Sequence, residues 1–470
     1  MRILLSLVFI SFIAGCTKTE NEMTYIGGEV IHPLDSVVSI SKDGELIKHI
    51  KIDSNNRFSD SINIEEEGIY TFHHVPEWQL IYLKPNDSLV FRVNMKAFDE
   101  SLAFGGSSAA ENNFLINMYL MNEKNDNLIL KYYKVKPSDF SFKTDSIRQM
   151  RLSSLEDLNQ HYDFSDYFNR IAKKSIVYEF YDMRERYAFL IQKYFKERKK
   201  DFSDDFFNYR DTIDFNDDEL LNHFGYLRFL DNYLKNKSIE DCDENDVDCF
   251  KINSFKNVKK RLTIADELFT NDVIRNRFYK RFVKEEILFS KNENQLEDTK
   301  SLIKNCNLSD EIKKDLLAST KIQKNFLENR YLGDQKLVTS ELDTITVSEL
   351  IKNKPLAISS WSFHSPAYRN YQVNKVKNLQ KKYPEIKFIG LNFDTESAEL
   401  WKQRLKKFGI DKSKEYKLLL KPNAENREVR FIVNHINRMF LINKKGHITK
   451  SNIPFSSNKI ESNLLELVNQ

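Results

Sequence analysis

The hydrophobic pattern of this 470-residue chain changes period twice, and those changes constrain its fold more than any single motif does. From Thr24 to about Gly106, apolar and polar residues alternate and turn residues recur every few positions, as in short half-buried strands. The pattern predicts strands over 25–31, 37–41, 45–52, 69–73, 79–83, 88–93 and 101–104, with turns at Lys42-Asp43-Gly44, Ser54-Asn55-Asn56 and Pro85-Asn86-Asp87. Seven short strands so spaced read as a β-sandwich over 24–106. From about Ala110 to Asn329 the period becomes helical and glycine is scarce. Phe164, Phe168 and Ile171 begin one long helix. Leu220, Phe224, Leu227, Leu230 and Leu234 mark another, opened by Asn216 with Glu219 as a capping box, and Ser309 starts the last. With no fixed-period repeat, 107–335 reads as a central α-helical region of paired helices.

Both periods return over 336–470. Leu356-Ala357-Ile358-Ser359-Ser360-Trp361 reads as a buried strand, and Val373, Val376, Leu379 and Tyr383 stripe a helix that Pro384 ends. A strand over 386–392, a helix over 397–408, a hairpin through Met439–Asn443 and His447-Ile448, and a closing helix at Ile460, Leu464, Leu465 and Val468 complete the run. This order, with Trp361-Ser362-Phe363-His364-Ser365-Pro366-Ala367-Tyr368 after the first strand, resembles thioredoxins of the membrane-anchored, cytochrome-maturation type. The resemblance implies a multidomain α+β chain: N-terminal β-sandwich, central α-helical region and C-terminal thioredoxin-like α/β domain.

It also implies where an active site should lie. Ser365 and Tyr368 stand where the family has its Cys-x-x-Cys pair, and Asn437, followed by Arg438, stands where a cis-proline faces those cysteines. The degenerate positions are therefore Trp361, His364, Ser365, Tyr368, Asn437 and Arg438. A serine hydroxyl is not ionised at neutral pH and a tyrosine forms no disulfide, so dithiol exchange has no carrier there. Without proline, a trans peptide is expected before residue 437, because a non-proline cis bond costs about 2.5–4 kcal/mol. A serine nucleophile at Ser365 activated by His364 is disfavoured, since adjacent residues rarely face each other and no orienting carboxylate is apparent.

The N-terminus carries its own motif. Arg2 precedes the apolar run Ile3–Ile13, and Ile13-Ala14-Gly15-Cys16 resembles a bacterial lipobox. It implies a signal peptide over 1–15, lipidation at Cys16 and a polar tether over 16–23, with the membrane contacted through the lipid. The β region, with its Tyr82–Leu89 turn, resembles the domain that precedes thioredoxin-like domains in lipoproteins of the Bacteroidota. The expected location is the cell envelope, facing periplasm or surface, at the outer membrane.

Composition narrows the remaining classes. Seventy-two basic against 69 acidic residues leave a net charge of +3, which argues against nucleic acid as a partner. The basic run Lys193–Lys200 reads as a solvated helix end. No His, Cys and carboxylate cluster has metal spacing and no glycine-rich loop could cradle phosphate, so neither metal nor cofactor is expected. His73 and His74 would face opposite sides of a strand and read as structural.

Beyond Cys16 the cysteines are Cys242, Cys249 and Cys306. Cys242 and Cys249 flank a polar acidic loop and read as a disulfide outside the cytoplasm. That loop lacks the glycine and glutamate of an EF-hand, and Cys306 reads as a buried thiol.

The reading these features favour is a lipid-anchored, redox-inactive envelope protein that binds or organises a protein partner. The alternative is a thiol–disulfide oxidoreductase or redoxin-type antioxidant enzyme using the remaining cysteines. A third, glycan binding through Trp78, Tyr70, Phe72 and Tyr82, has only aromatic residues behind it. The anchor is directly testable: Cys16→Ser should abolish fatty-acid labelling and move the protein from the membrane to the soluble fraction of lysed cells.

Overall fold

The computed structural model describes residues 23–132, 134–363, 365–419 and 433–469, apart from the side chains of 126–132, 366–368, 370 and 433. Cys16, the preceding signal segment and the tether up to residue 22 lie outside the described residues, as do His364 and the Tyr368 side chain. The chain forms two compact units, one running to Lys124 together with Leu155–Ala172, the other Asn125–Ser154 with Lys173–Gln470.

Eight strands build the first unit: β1 (Met23–Ile31), β2 (Val37–Lys42), β3 (Glu45–Lys51), β4 (Arg57–Asn63), β5 (Gly68–His74), β6 (Glu77–Leu83), β7 (Ser88–Asn94) and β8 (Ala103–Gly106). They form two four-stranded sheets, ordered β4-β1-β7-β8 and β3-β2-β5-β6. Alternation puts Ile26, Phe58, Leu89 and Phe91 of one sheet and Ile40, Phe72 and Ile81 of the other into one core. Phe72 meets Phe91 edge to face at 4.7 Å, a favoured aromatic geometry.

Two expectations need correction. The sandwich has eight strands rather than seven, because β4 is a strand whose only buried apolar residues are Phe58 and Ile62. The strand expected over 101–104 starts at Ala103, since Phe98–Ser101 closes a helical turn and the Ser101 hydroxyl accepts the Asn94 N–H at 2.8 Å. His74 is buried: Nδ1 donates to the Val37 carbonyl (2.9 Å) and Nε2 accepts from the Leu34 N–H (3.1 Å), so its ring holds the β2 approach.

The longer helices are α1 (Ala109–Tyr132), α2 (Pro137–Tyr162), α3 (Asp166–Tyr194), α4 (Phe224–Ile239), α5 (Phe255–Leu268), α6 (Asp272–Phe289), α7 (Glu293–Asn305) and α8 (Asp310–Gln323). Ser254, Asn271, Asn292 and Ser309 begin the last four, each side chain accepting a first-turn N–H. Asn216 does not open a helix. Its amide oxygen accepts from the Thr270 and Asn271 N–H groups, bridging loops, while His223 caps α4. At the end of α3 the basic run lies on the surface, with Lys199 and Lys200 exposed, and Lys196 and Lys199 donate to the carbonyls of Glu244 and Glu240, both at 2.8 Å.

Seven further strands form one sheet: β9 (Lys336–Thr339), β10 (Thr344–Thr346), β11 (Leu356–Trp361), β12 (Lys387–Asn392), β13 (Glu415–Leu418), β14 (Arg438–Ile442) and β15 (Ile448–Pro454), ordered β10-β9-β13-β12-β11-β14-β15. β11 runs parallel to β12 and antiparallel to β14, with α9 (Pro366–Lys382) crossing between β11 and β12. Helices α10 (Ala398–Lys407) and α11 (Ile460–Val468) complete this part. One face buries Leu356, Ile358, Ile389, Leu391 and Phe440, and Ile322 and Phe326 from the end of the helical region pack against it. The other buries Ala357, Phe388 and Leu441 under Leu379 of α9 and Leu464 of α11. A strand covered on both faces reads as a continuous buried run, as β11 does.

An ion-pair network stiffens the helices. Fully buried Glu185 on α3 accepts from Arg210 Nε (2.7 Å) and Nη2 (2.8 Å), Tyr209 Oη (2.7 Å) and Asn236 Nδ2 (2.6 Å). Removing one partner of such a pair leaves a buried charge uncompensated. Glu185→Ala should therefore lower stability by about 3–5 kcal/mol in chemical denaturation.

Candidate functional site

The loop after β11 is held from below by carboxylates. Asp394, just beyond β12, accepts from the Ser362 hydroxyl through Oδ1 (2.5 Å), and from the Phe363 N–H and Asn392 Nδ2 through Oδ2, both at 2.9 Å. Lys417 on β13 donates to the Asp394 carbonyl. Burial pulls the Lys417 ammonium below its ordinary pKa, opposed by Glu396 and Asp394.

Trp361, 1% exposed, ends β11 above a second carboxylate. Its Nε1–H donates to Glu415 Oε2 at 2.7 Å, while Arg369 on α9 pairs with Glu415 Oε1 and lays its guanidinium 4.2 Å from the Trp361 ring centroid. Burial pushes the Glu415 carboxyl above its ordinary range, and Arg369 and the indole oppose that shift. Glu415 faces Gly390 across the sheet, where a Cβ would lie 2.1 Å from its Oε2. The glycine makes room for the carboxylate.

Ser365, Asn437 and Arg438 lie close together beside the end of β11. Ser360 Oγ lies 2.5 Å from the His435 carbonyl oxygen and accepts the Arg438 N–H at 2.9 Å, while the Ser360 carbonyl accepts the Asn437 N–H at 3.1 Å. Val75-Pro76 is the cis bond among the described residues, so the peptide entering Asn437 is trans, and Asn437 sits in the left-handed region at φ 63°. Asparagine tolerates that conformation because its short amide can bond locally. Its Oδ1 accepts from Gln372 Nε2 (3.1 Å), and its Nδ2 lies 3.5 Å from Ser365 Oγ. The structure thus brings Ser365 and Asn437 together, with Arg438 beside them and Trp361 at the end of β11. It does not describe His364 or the Tyr368 side chain.

This arrangement fixes what the site can do. The amide group nearest Ser365 Oγ is a hydrogen-bond donor and cannot take its proton, so no base activates the serine among the described residues. The sulfurs lie in the helical region. Cys242 and Cys249 are bonded to each other, with Cα atoms 5.8 Å apart, and Cys306 is buried and free. Burial, with Asp266 nearby, pushes the Cys306 thiol up to about 11, leaving little thiolate at neutral pH. Among the described residues no group of three or more His, Cys, Asp or Glu could hold a metal ion. Ser175 Oγ lies 2.6 Å from His223 Nε2, but His223 Nδ1 accepts the Tyr226 N–H, so Nε2 carries the proton and the ring cannot act as base toward the serine.

Several residues that build the site have no sequence motif: Ser360, Arg369, Gln372, Asp394, Glu415 and His435. Gly390, an isolated glycine inside a strand, was the available signal, since such a glycine marks close approach by another group.

The chain matches no protein-family model and no curated protein. Among solved structures it resembles a thiol-disulfide oxidoreductase from Bacteroides fragilis NCTC 9343, at 16% identity, covering 30% of this chain and 98% of that one with a TM-score of 0.23. It also resembles the exposed lipoprotein thioredoxin of Streptococcus pneumoniae TIGR4, at 15% identity, 28% and 98% coverage and a TM-score of 0.22. A third is a SCO1/SenC family lipoprotein of Bacillus anthracis Ames, at 14% identity, 30% and 95% coverage and a TM-score of 0.24. The chain is a mixed α and β protein with several sheets, and these neighbours are of thioredoxin type. Scores this low carry no further argument. Among the described residues no helix is long and apolar enough to cross a membrane.

His435 supplies a pH test. Its fully buried ring stacks on Phe326 at 4.3 Å, and burial, aided by the Arg438 charge, pushes the imidazole down to about 3. Between that value and the unfolded value of about 6.5 the folded chain binds fewer protons, so its stability rises with pH and is lost as pH falls. The slope from this one group is about 1.4 kcal/mol per pH unit within the window. Melting temperature followed from pH 7 to pH 4 should fall faster for the native chain than for His435→Phe.

Proposed function

We propose that this chain is a lipid-anchored protein of the cell envelope, outer-membrane bound and of the Bacteroidota type. In this reading the C-terminal sheet and its helices are a thioredoxin-like domain that has lost dithiol chemistry and binds a protein partner at the remodelled groove around Ser365, Asn437 and Arg438. The observation that carries it is the pairing of Ser365 Oγ with the Asn437 amide, where the family places a reactive sulfur opposite a proline. The cysteines support the same reading. Two are tied in a disulfide and the third is buried, so none is set up as a low-pKa nucleophile.

A redox enzyme would need one of these sulfurs to turn over. Purified full-length protein should be inert in insulin-reduction and peroxide-consumption assays, and identical to a variant with Cys242, Cys249 and Cys306 all changed to serine. Cysteine-dependent turnover would overturn the proposal in favour of an oxidoreductase. The retained scaffold is tested by Ser365→Cys with Tyr368→Cys, which should gain insulin-reducing activity. The binding role is tested by a photo-crosslinker at Arg438 in intact cells, which should capture a discrete envelope protein that the same probe at exposed Phe142 does not.

A further inference from the structure

A cleft of about 750 Å³ opens in the second unit between the end of α3, the 248–256 segment and the C-terminal end of α6. That volume suits a small organic ligand. Glu286 reaches into it from α6 and is 5% exposed, and its Oε2 has no hydrogen-bond partner. Arg261 is the charge that acts on Glu286, yet it donates instead to Asn257 Oδ1 (3.1 Å) and the Ile252 carbonyl (2.8 Å). A buried carboxyl oxygen without a hydrogen-bond partner is costly unless something completes it. Burial pushes this carboxyl up to about 7, against the pull of Arg261, so it is poised to ionise when a cation arrives.

The opposite charge lines the same cleft. Lys251 pairs with Asp248 at 2.8 Å and Lys256 with Asp246, whereas Lys193, its ammonium over the Phe189 and Tyr194 rings, and Lys291 have no ion-pair partner among the described residues. Phe255 and Phe289 line the cleft with them. A ligand fitting all three features carries a cation at one end, an anion at the other and an apolar body between them. A metal ion would satisfy only Glu286, and a simple anion only the lysines.

We propose that this cleft binds a short zwitterionic peptide, its ammonium on Glu286, its carboxylate on Lys193 and Lys291, and an apolar side chain against Phe255 and Phe289. The test is calorimetric titration of the purified full chain with phenylalanyl-alanine, its N-acetyl form and its C-terminal amide. The free dipeptide should bind, and removing either charge should weaken binding at least roughly tenfold, about 1.4 kcal/mol. Glu286→Gln should weaken the free dipeptide by a similar factor and leave the N-acetyl form unchanged. Absence of binding by the free dipeptide would overturn the proposal. So would an N-acetyl form that binds the native chain equally well, which decides the matter even if the variant does not fold.

Discussion

The arrangement around Ser365 and Asn437 depends on one hydroxyl group. Ser360 lies inside a strand buried on both faces, and its side chain must find partners there or destabilise the sheet. It finds them in the segment entering β14, at the carbonyl oxygen of His435 and the N–H of Arg438. Its own carbonyl takes the N–H of Asn437. Three successive contacts therefore fix residues 435–438 against β11, and Asn437 can hold a left-handed backbone without a proline to shape it.

The carboxylates beneath do complementary work. Asp394 fixes the loop that leaves β11, and Glu415 fixes the tryptophan that ends it. Each is inside the protein, yet each is bonded by several donors, which is the condition for keeping an acid in a core. These contacts hold the site's shape without any sulfur. In the proposed reading that shape serves recognition, where preorganised surfaces lower the entropic cost of association.

Much of this was legible in the residues, and the failures have physical reasons. Strands with strong alternation, such as β5, strands with a mostly apolar run, such as β11, and helices with a Ser or Asn cap announce themselves locally. β4 does not, because five of its seven residues are polar or charged. β13 does not either: Glu415 and Lys417 occupy its buried positions and read as surface charge until the sheet places them inside. Asn216 has the residue type and spacing of a helix cap, but distant backbone N–H groups at Thr270 and Asn271 compete for its amide. Ser365, Asn437 and Arg438 were singled out through the resemblance, whereas the side chains that support them come from separate strands and helices. Their roles exist only after folding brings them together.

The bare α-carbon of Gly390 carries an evolutionary consequence. The Glu415 carboxylate occupies the volume a larger residue would need, so the two positions cannot drift independently. A lineage that acquires alanine or serine at 390 must first move, shorten or discard the acid at 415. That would strand the Arg369 guanidinium and the Trp361 indole, so all four sites should be inherited, or replaced, as a set.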